Sequence, residues 1–331
     1  MLFKSVVTLL FSVFACTLSW ASGQCVDEYV DYSVSGLPGR LYEPAASFTG
    51  TEKYPLVLAL HGGGGIGSDN TRNVVDFDEF FDGAQRYHAF IYAPQATSAF
   101  WHIDERHQSI MTMIDKLVEE KNVDPDRIYI TGFSMGGGGT WDLLKLYPDR
   151  FAAALPICSI APRITSPVSG IAGKPIWAFH ARDDLVVSVT DTRDVIDEIL
   201  DAEDLPQPEY PSTGLFEFEE PSLNLKYTEY AIGGHAIWPH TYANEEVIDW
   251  LFSKKKGGPE SPPQVLNTEV EANSKVSIVF RSVPGRQIEI ERSSNLIDWL
   301  PLETVIGGPK TTTYITEEIG YYRLKLSSSE W

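Results

Sequence analysis

Short apolar runs with no polar face alternate along this chain with segments of helical period, and that alternation restricts the fold more than any other feature. Leu56-Val57-Leu58-Ala59-Leu60 offers no side to water, as expected of a strand covered on both faces. Ala89 to Ala93, Arg127 to Thr131, Ile176 to Phe179 and Leu225 to Tyr230 read as further strands. Between them Ile110, Met113, Ile114, Leu117 and Val118 recur at helical spacing. Thr140 to Leu146, Val189 to Leu200 and Asn244 to Phe252 are also expected to be helices. Val26 to Val34 with Gly39 to Glu43 reads as an opening hairpin. Strands separated by helices need crossover connections. The expected class is therefore α/β, with a mostly parallel sheet and helices on both faces. In such sheets chemistry gathers at the carboxyl ends of the strands.

The ends of the chain have a different character. Residues 1–21 read as an export signal: Lys4 opens it, Val6 to Leu18 is mostly apolar, and Ser19 and Ala21 are the small residues of a cleavage site. The apolar stretch is short for a membrane span, so a cleaved signal is favoured over an anchor, and the expected location is secreted or periplasmic. Residues 22–256 form the catalytic domain in this reading. Gly257-Gly258-Pro259-Glu260-Ser261-Pro262-Pro263 is a linker by composition, 257–263. Residues 264–331 read as a small all-β module, with strands at Val276 to Phe280, Gln287 to Glu291, Thr312 to Ile315 and Tyr321 to Leu326. Acidic residues outnumber basic ones 46 to 26, for a net charge of -20. Such a field repels nucleic acid and anionic membrane surfaces, and no stable membrane insertion is expected once the signal is removed. An exported chain permits a Cys25–Cys158 bridge, but Cys158 ends an apolar run and a buried thiol suits it better.

The chemistry is carried by Gly132-Phe133-Ser134-Met135-Gly136. It fits G-x-S-x-G, in which a serine sits on a tight strand-to-helix turn and projects above the sheet, as in the nucleophile elbow of α/β-hydrolases. A strand precedes it and a helix follows, which is the context the motif requires. Attack on a carbonyl creates an oxyanion that needs hydrogen-bond donors. One is the backbone N–H of Met135, just after the serine. The other is expected from His61-Gly62-Gly63-Gly64-Gly65, the loop after an earlier strand, with Gly63 preferred to Gly64. A serine also needs a base. Seven histidines compete, and the order serine, acid, histidine leaves His235 and His240. Gly233 and Gly234 free the loop of His235, which is preferred. Asp183 and Asp184 both leave the end of a strand. Asp184 is taken as the acid and Asp183 as a partner of Arg182 or a turn cap. Trp101 and Trp238 line either a substrate pocket or the core. Glu203 to Leu223 reads as a polar, Pro-rich excursion, either a lid or a surface loop. The chemistry needs no metal or organic cofactor.

These motifs together resemble those of secreted α/β-hydrolase serine esterases related to feruloyl esterases and polyhydroxybutyrate depolymerases, some of whose members are described as peptidases. The resemblance covers about residues 40–254. It is carried by Tyr54-Pro55-Leu56-Val57-Leu58 into His61-Gly62, by Gly67-Ser68-Asp69-Asn70, and by Asp124-Pro125-Asp126-Arg127-Ile128-Tyr129 into Ser134-Met135-Gly136-Gly137. Thr140-Trp141-Asp142, Tyr147-Pro148-Asp149-Arg150-Phe151-Ala152, Phe179-His180 with Asp184, and Gly234-His235 with Trp238 complete it. The departures are Ala181, where the family usually has glycine, and the long excursion at 203–223. The resemblance implies an α/β-hydrolase fold, Ser134 as nucleophile, His235 as base and Asp184 as acid. It implies an ester substrate of polymeric kind: feruloyl or acetyl esters of a polysaccharide, or a polyester. A serine peptidase with the same triad, and a non-catalytic polysaccharide-binding protein, are the alternative readings.

Overall fold

In a computed structural model, the structure describes residues 24–33, 36–48, 51–103 and 105–257. Further on it describes 264–270, 275–281, 287–295, 299–306, 311–316 and 321–326. The signal at 1–21 and linker residues 258–263 lie outside the described residues. In chain order the first unit contains β1 (Val30–Asp31), β2 (Gly39–Tyr42), β3 (Tyr54–Leu60), α1 (Asp78–Gln85), β4 (Phe90–Pro94), α2 (Arg106–Glu120), β5 (Val123–Phe133) and α3 (Met135–Leu146). It continues with β6 (Ala153–Ile157), β7 (Ile176–Ala181), α4 (Thr190–Ala202), β8 (Phe216–Glu220), β9 (Leu225–Tyr230), α5 (Trp238–Tyr242) and α6 (Glu245–Phe252). The nine strands form one sheet in the order β1-β2-β4-β3-β5-β6-β7-β9-β8. From β4 to β9 every pairing is parallel. Antiparallel strands close both edges.

Alternation along β3 shows why the sheet is covered twice. Leu56, Leu58 and Leu60 enter one core with Ile114 and Leu117 of α2, Leu144 of α3 and Ile196 of α4. Val57 and Ala59 enter the other, with Phe80 of α1 and Ile248 and Leu251 of α6. All five β3 side chains are fully buried. At about 1.5–3 kcal/mol for each large apolar side chain removed from water, this double burial fixes the strand's place.

Several elements differ from their sequence reading. The opening hairpin forms, but its first strand is only Val30–Asp31, antiparallel to β2, and does not begin at Val26. Gln24–Glu28 is a 3-10 turn, because Cys25 and Tyr29 bury one face against α1 and the Cys25 N–H donates to Asp78. Helix α3 begins at Met135, not Thr140. Four consecutive glycines hide this start, since they lack helical propensity. The excursion contains an edge strand, β8, antiparallel to β9. Its Phe-Glu-Phe-Glu-Glu alternates half-buried and exposed residues. Cys25 and Cys158 are both free and buried.

The tail forms two three-stranded antiparallel sheets, β10-β11-β14 and β13-β12-β15. The strands are β10 (Gln264–Val270), β11 (Val276–Arg281), β12 (Gln287–Ser293), β13 (Leu300–Ile306), β14 (Thr311–Thr316) and β15 (Tyr321–Leu326). Ile278, Phe280, Ile288 and Ile290 bury a small core of their own. Among the described residues no helix is long and apolar enough to cross a membrane.

Candidate active site

Ser134 stands between β5 and α3 with φ 56° and ψ −118°, a conformation that non-glycine residues rarely hold. Its N–H donates to Ile157 O at 3.0 Å, and its C=O accepts from Gly138 N and Ile160 N. The turn closes only because two neighbours lack side chains. A Cβ on Gly136 would overlap the Leu60 carbonyl, and one on Gly132 would meet the Gly136 carbonyl. Met135 occupies the first position of α3, where a backbone N–H has no intrahelical acceptor.

The loop after β3 lies against this elbow through Gly62, which abuts the Phe133 ring. Gly63 opens a 3-10 turn, Gly63–Gly65, and Gly63 and Gly64 are exposed. His61 is part of the scaffold. Its buried ring donates from Nδ1 to Gly62 O (2.6 Å) and accepts the Ala96 N–H at Nε2 (2.9 Å). Burial lowers its pKa to about 4. Trp101 is buried edge-on to this ring and donates to His61 O, so it belongs to the core. Gln95, absent from the sequence reading, donates to Gly65 O and Asp69 and accepts from Asn70 N.

Asp184 and His235 approach Ser134 from the ends of β7 and β9. His235 Nε2 lies 2.9 Å from Ser134 Oγ, and His235 Nδ1 lies 2.7 Å from Asp184 Oδ2. An ionised carboxylate only accepts, so Nδ1 carries the proton and Nε2 accepts the serine O–H. Burial pushes the Asp184 carboxyl up. The bond from His235 and the Val186 and Val187 N–H groups on Oδ1 outweigh that and hold it below the usual carboxylate range. Val187 anchors this turn by burial, whereas Leu185 and Val186 are 97% and 73% exposed and Ile232, near His235, is 83% exposed.

Asp183 neither pairs with Arg182 nor merely caps its own turn. Its Oδ1 accepts from Gly233 N (2.9 Å) and Gly234 N (2.7 Å), fastening the histidine loop to the acid loop. Arg182 pairs with buried Glu229 instead, beside Arg193. His240 lies on α5 edge-on to Tyr230. Trp238 stacks on Phe133 and lies nearly perpendicular to the His235 ring, with centroids 6.0 Å apart. A cavity of about 650 Å³ beside Cys25, Asp76, Phe81, Trp238 and His240 contains no member of the triad. Among the described residues no group of three or more His, Cys, Asp or Glu side chains is placed to hold a metal ion.

Comparison with known proteins follows the same lines. The Dienelactone hydrolase family matches residues 81–208, a stretch with Ser134 and Asp184 that ends before His235. The chain is 25% identical over 176 residues to the bifunctional acetylxylan esterase/xylanase XynS20E of Neocallimastix patriciarum, covering 52% of this chain and 25% of that protein. It is 43% identical over 49 residues to poly(3-hydroxyalkanoate) depolymerase C of Paucimonas lemoignei, covering 15% of this chain and 12% of the relative. The chain thus spans a quarter or less of these two relatives. Among solved structures, a thermostable esterase superposes with a TM-score of 0.58 at 31% identity, over 70% of this chain and 64% of that one. With a strand-to-helix serine turn at the centre of a largely parallel sheet, and acid and histidine at the ends of later strands, the chain has the α/β-hydrolase fold.

Proposed function

We propose that this protein is a secreted or periplasmic serine carboxylic-ester hydrolase acting on a polymeric ester: feruloyl or acetyl esters of a polysaccharide, or a polyester. The observation that carries the reading is the continuous hydrogen-bonded path from Ser134 Oγ through His235 to Asp184, at 2.9 and 2.7 Å. Ser134 Oγ attacks the ester carbonyl carbon as its proton passes to His235 Nε2. Asp184 stabilises the imidazolium, and the N–H groups of Gly63 and Met135 hold the oxyanion. The tetrahedral intermediate collapses with protonation of the leaving alcohol by His235, which leaves an acyl-Ser134. Water, deprotonated by His235, then releases the acid and restores the serine.

Two features support a polymeric ester. The relatives' names specify acetylxylan and poly(3-hydroxyalkanoate), both chains of ester-bearing units. The apolar side chains Leu185, Val186 and Ile232 stand bare beside the acid and the histidine, suited to meet an acyl or polymer surface. The export reading of residues 1–21 agrees with a substrate too large to enter a cell.

The test is a panel of acetylxylan, feruloylated xylan fragments, poly(3-hydroxybutyrate) and a matched ester and amide pair, run with the protein and with Ser134→Ala. Ester turnover is expected to fall in the variant by about 10³- to 10⁶-fold in kcat. Undiminished hydrolysis by Ser134→Ala would remove that residue from the role. Amide turnover matching ester turnover would favour a peptidase.

A further inference from the structure

Asp184 touches a second imidazole. Its Oδ2 lies 3.2 Å from His180 Nε2 as well as 2.7 Å from His235 Nδ1. His180 lies on β7, four residues before the acid, and is completely buried. The other neighbour of His180 Nε2 is the carbonyl oxygen of Val187, at 3.3 Å. Both neighbours only accept, so Nε2 must carry a proton. Burial lowers the His180 pKa, against the pull of Asp184, and favours the neutral ring. Nδ1 is then an acceptor, and its donor is the Thr192 hydroxyl at 2.8 Å.

That single assignment fixes the rest. Thr192 has one proton and gives it to His180, so the 2.9 Å contact between Thr192 Oγ1 and Ser159 Oγ runs from Ser159. Ser159 accepts the Trp141 indole N–H at 3.1 Å, a group that can only donate. The result is a one-way chain from Trp141 through Ser159 and Thr192 to His180, whose Nε2 stands 3.2 Å from Asp184 Oδ2. Each of the four side chains leading to the acid belongs to a fully buried residue. Trp141 sits on α3, the helix that begins immediately after Ser134. The chain therefore ties the acid to the same helix that presents the nucleophile.

We propose that His180 is a positioning residue of this centre: held by the Trp141–Ser159–Thr192 chain, it locks the Asp184 carboxylate and takes a share of the charge on Oδ2, so setting how strongly Asp184 holds the His235 imidazolium. The proposal rests on the ester-hydrolase reading above. Asp184 thus has four N–H neighbours: His235 on Oδ2 and Val186 and Val187 on Oδ1 by hydrogen bond, and His180 Nε2, which donates to Val187 O, at 3.2 Å from Oδ2. No rotation of the carboxylate keeps all four. The charged or titratable groups facing His180 are Asp184 and His235, and Cys158 faces Asp184.

The experiment uses the full chain with His180→Phe, His180→Gln and Thr192→Val. Phenylalanine keeps an aromatic ring without nitrogens, whereas glutamine can place an amide N–H where Nε2 stands. Two measurements run across pH: the rate at which a fluorophosphonate labels Ser134, and kcat and KM for p-nitrophenyl acetate. His180→Phe is expected to slow labelling and kcat by about 10- to 100-fold and to leave KM within about twofold. It should also move the acid limb of the profile up by about half a pH unit, since Oδ2 without the adjacent imidazole N–H interacts more strongly with the imidazolium. His180→Gln should recover most of both effects, and Thr192→Val should show a smaller loss in the same direction. A His180→Phe variant with unchanged kcat and acid limb overturns the proposal. So does a loss that His180→Gln fails to recover with the limb unmoved, for then the ring only fills space. If His180→Phe does not fold, Thr192→Val decides, and an unchanged rate and limb there overturn the proposal. A native chain that neither takes the label nor hydrolyses any ester defeats the ester-hydrolase reading, and this proposal with it.

Discussion

Removing the Asp183 carboxylate tests how the histidine loop is held. Asp183 Oδ1 accepts two backbone N–H groups, from Gly233 at 2.9 Å and Gly234 at 2.7 Å, and Gly234 precedes His235. A charge-assisted hydrogen bond contributes about 1.5–3 kcal/mol. Asp183 is exposed, however, and water replaces part of what is lost, so the pair together contribute about 1–2 kcal/mol. At about 1.4 kcal/mol per tenfold, Asp183→Ala lowers the ratio of docked to undocked His235 by about 5- to 30-fold, and kcat falls by up to that factor. KM for p-nitrophenyl acetate stays within about twofold, because the loop holds the base rather than the ester. Asp183→Asn keeps an acceptor oxygen and is expected to lose less than about threefold. Steady-state kinetics on the two variants beside the native chain suffice. Full kcat in Asp183→Ala would show that the loop is held by something else. Equal losses in the two variants would show that charge, not the latch, matters.

Two further outcomes follow from the same geometry. The buried His61 titrates at about 4 when folded, against an ordinary 6.5. Between those values the unfolded chain binds more protons, so the stability present above pH 6.5 is lost as pH falls toward 4, by about 3 kcal/mol. Urea unfolding at about pH 7 and about pH 4 should show that loss in the native chain and a smaller one in His61→Gln; equal losses in both would refute a neutral buried ring. At the rim, replacing Leu185, Val186 and Ile232 together by serine should raise KM for long-chain acyl esters by about 5- to 20-fold while acetyl esters change little. The two chain lengths are compared in one kinetic series, and an equal effect on both would exclude acyl contact at this rim.

The sequence carries the sheet more plainly than the fastenings of the site. Leu225–Tyr230 coincides with β9, and the five apolar residues of β3 lie inside its bounds, because a strand buried on both faces cannot hide its composition. Helix α3 was harder to bound, since close approach of backbones demanded glycine where propensity would ask for alanine. Strand β8 had a period-two signal in Phe216 to Glu220, masked by flanking prolines and by the acids on its open side. The tail strands β10 and β13 escaped for similar reasons, the first adjoining a Pro-rich linker and the second containing Pro301. Chain order and strand-end placement were enough to single out Ser134, Asp184 and His235, which the structure brings within hydrogen-bond distance of one another. Asp183 and His180 gave no such signal. Their partners lie on other loops and helices, Gly233 and Gly234 some fifty positions along the chain from Asp183. Asp184, which faces the histidine, and Asp183, which faces its loop, differ in role only through the backbone direction after β7.

The three loops of the site are not held with equal firmness, and the order has a chemical sense. The Ser134 backbone occupies a region that costs about 1–3 kcal/mol. It persists because β5 is the middle strand of the sheet and because Ile157, Gly138 and Ile160 hold both its peptide groups. Asp184 comes next, with three N–H donors and the buried His180 ring, itself held by a chain of hydrogen bonds, against its Oδ2. His235 is the least restrained, on a loop whose glycines are fastened to one exposed carboxylate. In the reaction proposed above, nucleophile and acid profit from being fixed, since neither has to follow the proton from one oxygen to another. The base must pass its proton first from the serine to the leaving oxygen and then from water back to the serine, atoms that do not occupy the same point. A tether looser at the histidine than at its neighbours permits that small travel without releasing the charge that guides it.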